Sequence, residues 1–308
     1  MDKIVSVVET ALPVFFALGL GMFCRSSGFL SREGIDALKK VVLNLTLPFV
    51  LVDAFATAEY SAAALILPTL MFAVCCLALG LGFLFFRISG MKGRLTPFLF
   101  SGFEAGMLGY ALFVLLFPTE SVSRFALPDI GQTLFVFTLY KVLLSGKRDI
   151  KAIGKDMMTT PILWAVAVGV LLGATGLYKT MESWGVSGIL SSATGFLSAP
   201  TGMIILLTVG YDLVPRDIPW KKVGGLILMR LSIMVVCLAV MIGLNRMLLG
   251  GILFEGAAVL MLILPPPYAI PVFADEPEER VQISSALSAM TLVTMILFTG
   301  FAILIGMQ

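Results

Sequence analysis

Apolar residues run along this chain in blocks separated by short clusters of charged and small polar residues. A helix rises about 1.5 Å per residue and the hydrocarbon core of a bilayer is roughly 30 Å thick, so about 20 apolar residues span it. The pattern predicts ten such spans, at 5–24, 36–57, 62–86, 95–117, 129–145, 161–177, 189–211, 224–246, 252–272 and 282–305. The links between them are too short to hold a soluble domain. The longest basic link, 146–160, separates residues 1–145 from residues 161–308, with five predicted spans on each side. The expected fold class is an all-α integral membrane protein.

One span carries its own interruption. Pro265, Pro266, Pro267 and Pro271 sit in the ninth predicted span, 252–272. Each lacks an amide hydrogen, and its ring clashes with the carbonyl one turn back, so three in succession end a regular helix. From Leu253 to Leu264 a helix rises about 18 Å, which puts the break near mid-membrane. Backbone freed at that depth is tolerated only inside protein or along a watery cavity, and broken helices at the midplane are where secondary transporters put their substrate. The plainer reading is a structural kink, but a kink needs only one proline.

The two halves echo each other. Thr10-Ala11-Leu12-Pro13 opens the first span and Thr159-Thr160-Pro161 the sixth; Leu45-Thr46-Leu47-Pro48 in the second matches Leu197-Ser198-Ala199-Pro200 in the seventh. The prolines are offset by 148 and 152 residues. Five spans is an odd number, so the second copy enters the membrane from the other side, an inverted repeat. The repeat pairs the broken ninth span with the fourth, where Gly102, Gly106 and Gly109 loosen the helix. The expectation is that broken helices four and nine cross. Taken alone, Gly102 and Gly106 also fit close helix packing.

Composition agrees with the pattern: 59% of the 308 residues are hydrophobic, the mean hydropathy is +1.03, and 13% are charged, against about 25% in a soluble domain. The N-terminus reads as an anchor without a cleavage site. The four cysteines, Cys24, Cys75, Cys76 and Cys237, show neither metal spacing nor a disulfide framework. The chain has no histidine, which removes the usual general base and metal ligand. Basic residues gather in alternate links: Arg25, Arg32, Lys39 and Lys40; Arg87, Lys92 and Arg94; Lys147, Arg148, Lys151 and Lys155; Arg216, Lys221 and Lys222; and Arg280. The opposite side has Lys3, Arg124, Lys179 and Arg246. Positive charge stays inside, so both termini are expected outside the inner (cytoplasmic) membrane, with the central link in the cytoplasm.

Ionisable groups at membrane depth are functional candidates. Glu104 lies about 14 Å into its helix, beyond reach of the interface, and reads either as a carboxyl that loads and releases a coupling proton or as a protonated structural acid. Lys141 and Arg230 lie within snorkelling reach of the cytoplasmic side; turned inward, either becomes a counter-charge for Glu104 or an anion. Asp53 and Glu255 fall near outer ends of spans. Asn44, in Leu43-Asn44-Leu45-Thr46-Leu47-Pro48, sits beside an expected helix break and can donate to a ligand or cap a freed carbonyl. Ser284 and Ser288 share one face of the last span, as Thr291 and Thr294 roughly do, lining a polar path or gluing helices.

These stretches resemble the auxin efflux carrier family, which includes bacterial malate permeases. Leu43-Asn44-Leu45-Thr46-Leu47-Pro48 is similar to the signature of that family's second helix. Glu104-Ala105-Gly106-Met107-Leu108-Gly109-Tyr110-Ala111 resembles its first crossover, and Pro265 through Asp275 into Ser284–Leu292 resembles its last two helices. Glu104 stands where the family usually has asparagine and Ala111 where it usually has proline. The resemblance implies a scaffold of spans one, two, six and seven, a moving unit of the others, a homodimer through helices 1, 2 and 7, and a small carboxylate as substrate. It implies a site around Asn44, Glu104, Gly106, Gly109, Tyr110, Pro265, Pro266, Pro267, Tyr268 and Ser288.

Function is thereby narrowed to a secondary carrier of a small organic anion, coupled to H⁺ by way of Glu104, with no cofactor and no nucleic-acid partner. Gly146-Lys147 lacks the spacing of a phosphate loop, and no paired deep carboxylates, Ser-Lys pair or zinc ligands point to an intramembrane enzyme. The alternatives are a sodium-coupled symporter of the bile-acid type, which shares the architecture, and a channel or uniporter.

Overall fold

The computed structural model of the chain describes residues 2–58, 60, 66–146, 155, 159–215 and 218–306. Helices account for every regular element among the described residues, and no strand occurs among them. Much of the central link, including Lys147, Arg148 and Lys151, lies outside the described residues, as does Arg216.

The first half begins with α1 (Asp2–Ser26). Next come α2 (Arg32–Val41) and α3 (Leu47–Ala56), joined by a π-turn at Val42–Thr46, and then α4 (Ile66–Ser89). A 3₁₀ turn at Thr96–Phe100 and a π-turn at Ala105–Gly109 lead into α5 (Tyr110–Leu116). The half closes with α6 (Ser123–Phe135), which runs through a π-turn at Val136–Tyr140 into α7 (Lys141–Ser145). The second half holds α8 (Pro161–Ala174), α9 (Leu177–Ser183), α10 (Ser187–Ser198) and α11 (Thr201–Asp212). After these follow α12 (Trp220–Leu248), α13 (Glu255–Ile263), a 3₁₀ turn at Ile270–Phe273 and α14 (Pro277–Gly306).

Among the described residues, five continuous stretches are long and apolar enough to cross a membrane: Ile66–Ser89, Ser123–Ser145, Ser187–Asp212, Trp220–Leu248 and Pro277–Ile305. A sixth arises if α8 and α9, which meet at 65°, form one span. The other predicted spans are interrupted or shorter apolar helices, such as Leu12–Ser26 and Ala105–Leu116. Apolar side chains such as Phe16, Leu84, Leu228 and Ile296 face outward, the arrangement of helices that meet lipid rather than water.

The helix contacts are exchanged between the halves. α1 packs along α11, and α3 along α8. Backbones approach closely at both seams. A methyl on Gly21 or Gly210 would overlap the carbonyl of Leu207 or Leu18 across the α1–α11 seam. At the α3–α8 seam, a methyl on Gly169 would lie 2.7 Å from Phe55 Cβ and one on Gly173 would meet the Phe55 carbonyl. Small residues allow such proximity between membrane helices. α4, α6 and α12, with the two broken stretches, pack into a second group, and α14 runs from that group to α1.

Candidate functional site

Both predicted interruptions are present, and they touch. After α13 ends at Ile263, Leu264 turns extended, with φ −63° and ψ 153°, and the three prolines keep the chain from resuming a helix until the short turn at Ile270. The first interruption falls slightly earlier than the glycine pattern predicts. The chain is extended at Ser101, and Gly102 has φ +64°, a left-handed conformation that a side chain at this position would strain. Gly106 and Gly109 lie beyond it, in the π-turn. At Gly109 a methyl would come 2.7 Å from Phe125 Cζ and 2.8 Å from Leu264 Cδ1, so this glycine lets the two broken helices close on each other.

Many of the freed carbonyls find donors, as burial requires. The Glu104 amide donates to the Pro265 carbonyl at 2.9 Å, one backbone bond from break to break. Arg230 is 3% exposed, and its guanidinium donates to Leu99 O at 2.7 Å, Gly102 O at 2.9 Å and Leu264 O at 2.8 Å, bridging both breaks. Tyr140 donates to Phe98 O, Gln132 to Phe103 O and Thr294 to Ile263 O. Arg230 therefore neither snorkels nor pairs with a carboxylate: five N–H donors in a planar fork suit three carbonyls at once. Lys141 begins α7, half-buried, and does not line the cavity described below.

Glu104 ties the crossover from the side-chain end. Its Oε1 accepts the Met107 amide at 3.1 Å, capping the turn that its own residue starts, while its Oε2 accepts the Tyr268 amide at 2.7 Å from the other break. The amides that an added anion would seek at these helix starts are thus already held by a carboxylate of the chain. Tyr268 in turn shares a 3.0 Å hydroxyl contact with Thr291.

Over this crossover stands a cavity of about 860 Å³. Its floor carries Glu104, Gly106, Tyr110, Asp129, Pro267 and Tyr268, and one face of α14 supplies Ser284, Ser288 and Thr291. Its opposite wall comes from α1, α2, α3, α8 and α11, through residues such as Leu43, Leu47, Ile162 and Val209. Residues 32, 39, 43 and 47 recur at near-multiples of a helical turn, which puts Arg32 and Lys39 on the cavity side of α2. There both pair with Asp212, Arg32 at 2.5 Å. Arg25 and Arg280 also line this basic mouth, Arg25 donating to Tyr211 O and Arg280 to Ala274 O.

Most of the expected site residues meet here, with exceptions. Asn44 is exposed on the far side of the π-turn, and its amide bonds back to Lys40 O at 3.0 Å; its neighbours Leu43 and Leu47 face the cavity instead. Pro265 and Pro266 shape the break from behind and do not line the cavity, whereas Pro267 does. Thr294 serves as glue to α13 and not as part of a polar path. Sequence reasoning misses Asp129 and Gln132, which fall in the first turn of the predicted span 129–145. Asp129 is 5% exposed; its Oδ2 accepts the Tyr110 hydroxyl at 2.9 Å. Tyr110, at the start of α5, was the signal available: a buried tyrosine hydroxyl needs a partner.

No family model matches the chain. Over 212 residues, 67% of each chain, it is 27% identical to an uncharacterized transporter of Methanothermobacter thermautotrophicus. That likeness and the long apolar helices support a transporter held in a membrane.

Proposed function

We propose that the protein is a secondary transporter of a small organic carboxylate, driven by protons and working by alternating access around the crossing of its two broken helices. The observation that carries this reading is the crossover itself. Two interrupted helices from the two halves are joined by Glu104 N–H to Pro265 O and by Tyr268 N–H to Glu104 Oε2, on the floor of an 860 Å³ cavity. Interrupted helices meeting beside a cavity at membrane depth are the arrangement secondary transporters use.

Several features support the finer parts of the reading. Each half has one broken stretch before its last long helical run, and α1–α11 and α3–α8 exchange partners between the halves, as an inverted five-plus-five repeat of ten crossings would. The cavity lies between the α1, α2, α3, α8 and α11 wall and the crossover group, the seam along which an elevator motion slides one unit past the other. The stretches that resemble the auxin efflux carrier family form both breaks. Arg25, Arg32, Lys39 and Arg280 at the mouth give a positive entrance that raises the local concentration of anions.

A second reading is favoured by one observation: Glu104 and Asp129 both face the floor, which suits an organic cation or a zwitterion. Uptake into proteoliposomes separates them. Labelled mono- and dicarboxylates are offered with an inward proton gradient, with a sodium gradient, and with neither. Saturable carboxylate uptake that collapses with a protonophore is the expected result. Uptake of amines in place of acids, or a requirement for sodium, would overturn the proposal.

A further inference from the structure

The crossover leaves one acidic group with an oxygen to spare. Both Glu104 oxygens are committed, one to Met107 and one to Tyr268, so Glu104 cannot change its bonding without loosening the joint between the breaks. Asp129 differs. It is 5% exposed and its Oδ2 accepts the Tyr110 hydroxyl, but its Oδ1 has no hydrogen-bond partner among the described residues, although it lies on a carboxyl that lines the cavity. Thr133, one turn further along α6, stands beside this carboxyl, and it too lines the cavity. A buried oxygen without a partner carries a desolvation cost that a bound ligand relieves.

We propose that Asp129, and not Glu104, binds the proton that drives transport; the inference rests on the carrier reading above. The proton adds to Oδ1 and forms a neutral acid, while Oδ2 goes on accepting the Tyr110 hydroxyl. On release, the proton leaves Oδ1 into the cavity and the carboxylate is restored.

The neighbours of Asp129 make protonation consequential. From the first broken stretch Glu104 and Tyr110 act on it, and from α4 the buried thiol of Cys75. The acids of the other helices packed on α6 are engaged elsewhere: Asp53 of α3 with Thr194, and Glu255 of α13 with Arg246. Arg230, the nearest buried cation of the crossover, is spent on three carbonyls, and no ion pair among the described residues includes Asp129. A substrate carboxylate reaching the floor therefore meets two like charges. Neutralising Asp129 removes one of them, so proton and anion bind together by linkage.

The test uses the full chain reconstituted in lipid and follows the infrared C=O stretch of protonated carboxyls through a pH titration. A single-proton band is expected in the wild type, absent in Asp129→Asn and kept in Glu104→Gln. A band that persists in Asp129→Asn, or vanishes in Glu104→Gln alone, overturns the assignment. Should Asp129→Asn fail to fold, Tyr110→Phe, which removes only the hydroxyl on Oδ2, is expected to move the band's frequency, and an unmoved band is equally fatal. In the same vesicles, carboxylate uptake should lose about tenfold in apparent affinity per pH unit above the midpoint, as one proton per anion requires, and Asp129→Asn should be flat. Sodium that displaces the band refutes a proton site. A titrating Asp129 band with no carboxylate uptake at any pH defeats the anion reading and leaves Asp129 as the proton site.

Discussion

Arg230 holds three carbonyls that the two breaks set free, at 2.7–2.9 Å and away from solvent. Replacing it by methionine keeps most of the stem and removes every donor, so Leu99, Gly102 and Leu264 are left as buried acceptors. Each hydrogen bond to a charged group contributes roughly 1.5–3 kcal/mol. Sharing one donor makes the three less than additive, which sets the expected loss at about 4 kcal/mol, or roughly a thousandfold in the ratio of folded to opened protein. Water offers little rescue, because the crevice beside Arg230 holds about 10 Å³, the lower limit for one molecule. The assay can use the protein's own thiols. Cys75 and Cys237 are 3% and 0% exposed and become reactive to a maleimide only when the helices separate. In a Cys24→Ala, Cys76→Ala background, labelling at fixed temperature follows the opening equilibrium when closing outruns the reagent. Arg230→Met should speed labelling by about a thousandfold. Arg230→Lys, a single point charge without the fork, should fall between, near thirtyfold at about 2 kcal/mol. Labelling within threefold of the background would refute the reasoning, because the carbonyls would then have other donors.

Three further outcomes follow from named contacts. Glu104→Ala strips the partner from the Met107 and Tyr268 amides and should cost about 3 kcal/mol, with uptake down at least tenfold; thermal unfolding and uptake in the same preparation check both. Gly210→Ala would push α11 off the Leu18 carbonyl of α1 and should destabilise by about 3 kcal/mol, whereas Gly195→Ala, where the added methyl meets open space, should be silent; unfolding of the pair in one detergent decides it. Asp212→Asn releases Arg32 and Lys39 at the mouth. Stability should change by less than about 1 kcal/mol because the ions are partly exposed, while KM for an anionic substrate falls at low salt and the difference fades as salt rises.

What could be read from the sequence depended on whether a residue's effect is local. Three prolines end a helix whatever surrounds them, so the second break was legible in place, between Leu264 and Ala269. The first break was legible only through the repeat, and its position slipped because Gly106, which the spacing favoured, is absorbed by a π-turn, while Gly102 alone takes the left-handed angle. Asn44 was misplaced for a different reason: Leu43 and Leu47, one helical turn apart, face the cavity, and Asn44, next in sequence to Leu43, lies on another face of the same turn, which the sequence pattern alone did not orient. Arg230 was legible only as a basic residue inside a span within snorkelling reach of the interface, and hydropathy could not say whether its long side chain would reach outward or inward. The deciding quantity is the number of orphaned carbonyls nearby, and that number exists only once both breaks are in contact. The same holds for the carboxyls. Along the sequence Glu104 looks like the titrating group because it is deep and alone, yet the crossover gives it two amides and a mechanical duty. Asp129, placed at a span's edge by pattern, ends up on the cavity floor with an oxygen to spare. A charge's role in such a fold is set by which backbone groups the breaks leave unpaired, so the residue that binds a mobile ion is the one those groups do not claim.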